Sequence, residues 1–287
     1  MAIKKLTIAD IQAKVARGEP IFQVTAVDYP TAKLVDEAGI DFILVGDSLG
    51  MTALGLASTV PVTMEEQLHH ARAITRAARR AIVVGDLPFG AYHACTEDAI
   101  RNAVRMQKEG GCDVVKMEGG QEFAPTIRAV VDAGIPVMGH MGLTPQLMSK
   151  LGGFRVQGRD VAAARRLIED AEALAGAGCF AMVLECIPDR VARLITERVG
   201  IPTISCGAGP WCSGQNMVLH DMIGLIDRTP PRFSKPYVDV SAQIRQALEA
   251  FQAEVRAGEF PAPENCFTIQ DADYQALLAA LETEADG

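Results

Sequence analysis

No apolar run in this chain of 287 residues approaches the ~20 residues that a membrane span needs. The N-terminus, MAIKKLTIADIQ, carries Asp10 and Gln12 where a secretory signal would be apolar, so it reads as mature protein. Positive charge is in short supply. There are 27 Lys and Arg against 36 Asp and Glu, a net charge of −9. The densest basic stretch, Arg76–Arg80 (RAARR), falls inside a helical pattern and reads as a solvated helix face. Without a basic face to release counterions, the chain is expected to bind no nucleic acid. The seven cysteines, at 95, 112, 179, 186, 206, 212 and 266, include no CxxC pair. Their number and spacing argue for reduced thiols in a cytoplasmic protein rather than for disulfides or a zinc site. Aromatic residues make up only 5%.

What is present is a large aliphatic content, with hydrophobic residues at 49%. A recurring unit organises it: a short apolar run, a turn containing Gly or Pro, then an amphipathic stretch. The apolar runs are Phe22–Ala26, Asp41–Asp47, Ala81–Pro88, Asp113–Gly119, Pro136–Gly142, Phe180–Pro188, Thr203–Gly209 and Met217–Gly224. Their length and bounding breakers suit buried strands better than helices. Between them, Thr63-Met-Glu-Glu66 forms a capping box for a helix to about Arg80. Thr96 can cap a helix to about Glu109, and further helices fit Glu122–Ala133, Val161–Ala177 and Asp189–Val199. Eight strands alternating with helices predict an α/β fold, a (β/α)8 TIM barrel spanning 1–287 as one domain. The rival is a doubly wound open sheet, but its GxGxxG fingerprint after the first strand is absent. Beyond the eighth run come a helix at Val240–Gly258 and a C-terminal helical tail, 268–287, with Tyr274, Leu277, Leu278 and Leu281 at helical spacing.

Barrel enzymes place their chemistry where strands end. Here those ends carry Asp47 and Ser48, Asp86, Lys116 and Glu118, His140, and Glu185. Lys116 and Glu118 are two apart and share one face of a strand. Asp47, Asp86 and Glu118 thus converge from neighbouring strands, which is costly unless the charges are paired or hold a metal. An all-oxygen set selects a hard cation, usually Mg²⁺. Lys116 is open to three roles: a Schiff base, binding of an anionic substrate, or neutralisation of the carboxylates. Glu185 stands apart on the sixth strand, as a general base or as part of a structural ion pair. His140 suits substrate binding, proton donation or a structural bond. His69, His70 and His93 read as surface or packing residues. Gly207-Ala-Gly209 is a short turn near the strands where barrels often hold phosphate.

The same strand ends belong to an ordered series: Asp28-Tyr29, LVGDSLGM (44–51), STVPVT (58–63), GDLPF (85–89), VKMEGG (115–120), GHMGLTPQ (139–146), GGFRVQGR (152–159), VLECIP (183–188), GAG (207–209) and GQNMVLHD (214–221). This series closely resembles the ketopantoate hydroxymethyltransferase family, in order, over roughly residues 5 to 267. The resemblance implies a barrel of the phosphoenolpyruvate/pyruvate superfamily type, dependence on Mg²⁺, and a homo-oligomer, often a decamer. It also implies transfer of a hydroxymethyl group from 5,10-methylenetetrahydrofolate to 3-methyl-2-oxobutanoate, a step of pantothenate synthesis. By residue, Asp47 and Asp86 match metal ligands, and Glu118 matches the acid that holds the metal directly or through water. Asp47, Ser48, Asp86, Lys116 and His140 are the expected contacts to the 2-oxo acid, and Glu185 matches the catalytic base.

The chain departs from the family pattern at Val27, at Ser205 and Cys206, at Ser213, and at Asn265 and Cys266. None is a metal or base position. The alternatives are a relative that enolises or cleaves a different 2-oxo acid, and a barrel kept only as a scaffold. Lyases of the superfamily usually carry a KKCGH-type loop, which is absent here. A scaffold predicts loss of the acidic residues, and all are present.

Overall fold

The computed structural model describes residues 4–285. Eight parallel strands close on themselves: β1 (Ile21–Thr25), β2 (Phe42–Val45), β3 (Ile82–Asp86), β4 (Val114–Glu118), β5 (Val137–Gly142), β6 (Ala181–Glu185), β7 (Thr203–Cys206) and β8 (Gly214–Met217). Each pairs with the next, and β8 returns to β1 through Gln23↔Asn216. The helices are α1 (Ile8–Ala16), α2 (Tyr29–Glu37), α3 (Leu49–Thr52), α4 (Met64–Ala77), α5 (Thr96–Lys108), α6 (Ala124–Asp132), α7 (Met148–Leu151), α8 (Val161–Gly176), α9 (Asp189–Val199) and α10 (Leu219–Ile223). These elements belong to a first compact unit that ends at Val238. A second unit begins at Asp239 and contains α11 (Val240–Ala257) and α12 (Asp271–Ala285).

Strand residues alternate between two cores, as their period of two requires. Ile21, Phe42, Ile82, Val84, Val114, Met138, Val183 and Ile204 fill the barrel interior, with Ile11 of α1 packed in the same cluster. Ile43, Val83, Val115, Met117, Met182 and Leu184 face outward against helices through Leu68, Ile74, Met106, Ile127, Leu174 and Ile195. The strands are therefore apolar on both faces, which is why they read as short continuous runs.

Six of the eight runs contain the observed strands, and the first, Phe22–Ala26, is offset by one residue from β1. The eighth is a correction. Met217–Gly224 is largely α10, and the strand is the more polar Gly214-Gln-Asn-Met217. It opens at Gly214 because a Cβ there would collide with the Ile21 carbonyl of β1. The capping box at α4 is present, with Glu66 N–H donating to Thr63 Oγ1 (3.2 Å) and Thr63 N–H to Glu66 Oε2 (2.7 Å). At α5 the cap is Cys95, and Thr96 is the first helical residue. All seven cysteines are free.

Two carboxylates secure the N-terminal end of the barrel. Asp41 is fully buried, accepts from Phe22 N–H (2.9 Å), and pairs with Lys14 (2.6 Å) and Arg80 (3.5 Å). Asp36, near the end of α2, accepts from the backbone N–H groups of Arg79 (2.9 Å), Arg80 (3.0 Å) and Ala81 (2.7 Å) as the chain enters β3. The basic stretch 76–80 thus ends in a structural joint. Asp36→Ala leaves these donors without an acceptor and is expected to cost about 3 kcal/mol. Asp36→Asn, which keeps one oxygen, should lose about half as much. Urea unfolding with an unchanged m value checks both, and equal stability of wild type and the alanine variant would refute the assignment.

Candidate metal centre and active site

The C-terminal strand ends open into a cavity of about 540 Å³. Asp47, Ser48, Asp86, Lys116, Glu118, His140 and Glu185 all line it, so the structure brings together every site residue expected from the sequence. Each is placed by its strand. Asp86, Lys116, Glu118, His140 and Glu185 lie on β3 to β6, and Asp47 and Ser48 directly follow β2. The register sets Asp86 beside Lys116 and Glu118 beside His140.

Asp47, Asp86 and Glu118 each offer a carboxylate oxygen, and these three atoms lie within 4.8 Å of one another. Lys116 Nζ donates to both Asp86 oxygens (2.6 Å each) and stands 3.6 Å from Glu118 Oε1. His140 joins the two halves of the site. Its Nδ1 is 3.0 Å from Glu118 Oε1, and its Nε2 is 3.2 Å from Glu185 Oε2. All but Glu185 are buried.

A shell of amides and one phenol fixes the carboxylates. Gln146 Nε2 donates to Asp47 Oδ2 (2.9 Å) and to Leu87 O (3.0 Å), while its backbone N–H donates to Glu118 Oε2 (3.1 Å). The Tyr92 hydroxyl donates to Gln146 Oε1 (2.8 Å) and accepts from Glu118 N–H (3.0 Å). Asp47 N–H donates to Asp86 Oδ2 (3.2 Å). The sequence reading did not single out Tyr92 or Gln146. Gln146 closes the GHMGLTPQ motif, which is the one available signal.

Electrostatics separates these groups. Burial, followed by the charges on Asp86 and Glu118, pushes Asp47 well above the usual carboxylate range. Burial also raises Asp86, although Lys116 opposes it. Burial would raise Glu118 too, but His140 and Lys116 outweigh it and hold the group low. Burial disfavours the charged forms of Lys116 and His140, yet the carboxylates keep Lys116 above its ordinary range and lift His140 to about 9. Lys116 Nζ is turned onto both Asp86 oxygens, a position that suits ion pairing better than Schiff-base formation. Its position realises neutralisation of the carboxylates and also sets it at the cavity wall, where an anionic substrate can reach it. Asp47 is the acid most in need of a further cation. Three converging oxygen donors and a surplus of negative charge fit a hard divalent ion.

The remaining expectations resolve locally. Ser48 makes no side-chain capping bond at α3 and lines the cavity. Gly207 packs against Phe233 and Gly209 against Asp189, so that turn is filled and offers no phosphate cradle. His93 packs among Phe89, Tyr92 and Phe123. Of the departures from the family pattern, Cys206 lines the cavity. Ser205 and Ser213 make hydrogen bonds to the backbone N–H groups of Ala208 and Thr203, and Val27 is in the outer core. Asn265 and Cys266 belong to the second unit.

A parallel eight-stranded barrel with an acidic triad at its C-terminal mouth defines a class: barrel enzymes whose strand-end acids can hold a metal ion. Solved structures agree on the fold. Phosphoenolpyruvate phosphomutase from Streptomyces platensis subsp. rosaceus superposes with a TM-score of 0.58 at 18% identity, covering 98% of this chain and 99% of that one. The 2,3-dimethylmalate lyase, a PEP mutase/isocitrate lyase superfamily member, gives 0.56 at 14% identity, with 95% and 98% covered. Sequence relatives are far more similar. The 3-methyl-2-oxobutanoate hydroxymethyltransferase of Desulfotalea psychrophila is 52% identical over 273 residues, 95% of this chain and 98% of that protein. The protein of the same name from Ignicoccus hospitalis is 55% identical over 259 residues, 90% and 98% of the two chains. The family model for ketopantoate hydroxymethyltransferase matches residues 5–263. The chain belongs to the ketopantoate hydroxymethyltransferase family and is a hydroxymethyltransferase enzyme.

Gln146 touches two of the three triad acids without being able to replace them. Truncation to Ala should weaken Mn²⁺ binding by about 10–100-fold, as loss of a ligand-orienting partner typically does. Calorimetric titration of the folded variant measures it, and affinity within twofold of wild type would show that Gln146 does not orient the site.

Proposed function

We propose that this enzyme transfers a hydroxymethyl group from 5,10-methylenetetrahydrofolate to 3-methyl-2-oxobutanoate, giving 2-dehydropantoate (ketopantoate), with Mg²⁺ as its resident metal. The reading makes the reaction a step of pantothenate synthesis. The observation that carries it is the division of the carboxylates. Three cluster around Lys116, and a fourth, Glu185, stands across the same cavity on the far side of His140. A 2-oxo acid has its charge and its carbonyl at one end and its acidic C3 proton next to them. The site has the same layout.

Asp47, Asp86 and Glu118 would hold the metal, Glu118 either directly or through water. Mg²⁺ supplies Lewis-acid polarisation of the 2-oxo group when bound, which lowers the pKa of the C3 proton. Lys116 and Ser48 bind the substrate carboxylate and fix its orientation. Glu185 takes the C3 proton, and the electron pair left behind forms the enolate. Water adds to the folate's methylene group and both its C–N bonds break, releasing tetrahydrofolate and a formaldehyde unit. C3 forms a bond to that carbon, and its oxygen takes a proton and becomes the C4 hydroxyl. His140, paired with Glu118 through Nδ1, keeps its Nε2 3.2 Å from Glu185 Oε2 and attracts that carboxylate by charge. Arg155, Arg232, Phe154 and Phe233 at the cavity wall suit an anionic cosubstrate with a flat ring, which supports the folate.

The apolar stripes Ile244, Leu248, Phe251 and Val255 on α11, and Tyr274, Leu277, Leu278 and Leu281 on α12, are exposed. They support the further reading that the protein is a homo-oligomer, with a decamer as the form the family resemblance implies. Among the described residues no helix is long and apolar enough to cross a membrane.

Incubation with 3-methyl-2-oxobutanoate and Mg²⁺ in D₂O, followed by NMR, should show loss of the C3 proton. Ketopantoate should form only when methylenetetrahydrofolate is added. Glu185→Gln should slow the exchange by at least about 100-fold, the usual range for removing a general base. Exchange at the wild-type rate in that variant would remove Glu185 as the base. No exchange in the folded wild type would sink the enolisation chemistry.

A further inference from the structure

The wall of the cavity beyond Glu185 is polar in a way the chemistry above does not use. Cys206 on β7 pairs with Glu185 in the sheet register, and Asn216 on β8 is the next inward-facing residue round the barrel. Both line the cavity. Asn216 is 7% exposed and donates from Nδ2 to Cys206 Sγ (3.5 Å). Its Oδ1 is buried without a partner. Gln23, paired with Asn216 across the β1–β8 seam, also has both amide atoms buried and unpartnered. Buried polar groups are nearly always hydrogen-bonded, so an orphan acceptor at a cavity wall points to a donor supplied by the occupant.

The geometry decides which part of the occupant this is. With the 2-oxo acid's carboxylate at Lys116 and its C3 within reach of Glu185, the groups on C3 face Cys206 and Asn216. The isopropyl end of 3-methyl-2-oxobutanoate has no hydrogen to donate there. The C4 hydroxyl of the hydroxymethylated product does. We infer that Asn216 is a specificity-determining residue whose Oδ1 accepts a hydrogen bond from the transferred hydroxymethyl group, so that the cavity favours 2-oxo acids bearing a C4 hydroxyl. The inference rests on the proposed function and names a subsite within it.

Two acids that differ only in that hydroxyl test it: ketopantoate and 3,3-dimethyl-2-oxobutanoate, each titrated calorimetrically into the Mg²⁺-loaded protein. The wild type should bind ketopantoate about tenfold more tightly, the usual effect of one buried hydrogen bond. Asn216→Val should remove that preference by weakening ketopantoate about tenfold, with the hydroxyl-free acid kept within twofold. Retained binding of that acid also shows that the variant is folded, and Asn216→Ala gives the same reading should the valine variant fail to fold. Equal affinities in the wild type, or equal weakening of both acids in the variant, overturn the subsite alone. Binding of neither acid by the wild type overturns the proposed function together with it.

Discussion

The site depends on one interaction, the buried pair between Lys116 and Asp86. Each ion alone would pay a desolvation penalty of several kcal/mol inside the barrel. Paired, they satisfy each other but leave Asp47 and Glu118 to be balanced. His140 serves Glu118, and its own protonation is the consequence. Asp47 has a single neutral donor on its carboxylate, from Gln146. The imbalance is therefore localised at one oxygen-rich point rather than spread over the mouth. A dication suits that point better than a further protein cation, which would bring one charge and a long side chain. In this way the fold stores an electrostatic need where strands β2, β3 and β4 converge, and the strand register keeps it there.

Much of this was legible because parallel strands impose a strict period. Once β4 was placed, Lys116 and Glu118 had to face the same way, and the barrel interior was the only apolar face left for Val114 to share with them. Glu185 was legible for the opposite reason, as an acid ending an otherwise aliphatic strand. The eighth strand was not legible. Its sequence, Gly-Gln-Asn-Met, lacks the aliphatic pattern of the others. Its Gly is required by the Ile21 carbonyl on a strand nearly two hundred residues earlier, a contact that no local window contains.

The amide shell was hidden for the same reason. Gln146 meets Asp47 across a sequence separation of 99 and Tyr92 across 54. Nothing in its neighbourhood distinguishes a glutamine that orients two carboxylates from one in a solvated turn. Tyr92 is similar. Its ring packs on Phe123 and His93, as a core aromatic does, and the hydroxyl's bonds to Gln146 and Glu118 reveal its second task.

The two sides of the cavity differ in how completely their polar groups are satisfied, and this difference has a physical meaning. On the β2–β5 side Lys116, Asp86, Glu118, Tyr92 and Gln146 are bonded to one another, so these groups are preorganised. On the β7–β8–β1 side, Asn216 and Gln23 retain unmet hydrogen-bonding capacity. A preorganised wall suits the end of a substrate that is the same before and after reaction. A wall with capacity in reserve suits the end that changes. In hydroxymethyl transfer the carboxylate and the 2-oxo group persist, while C3 gains a carbon and a hydroxyl. Binding energy placed only where the product differs from the substrate falls on late states along the reaction. It leaves the affinity for the starting acid to the Lys116 side alone.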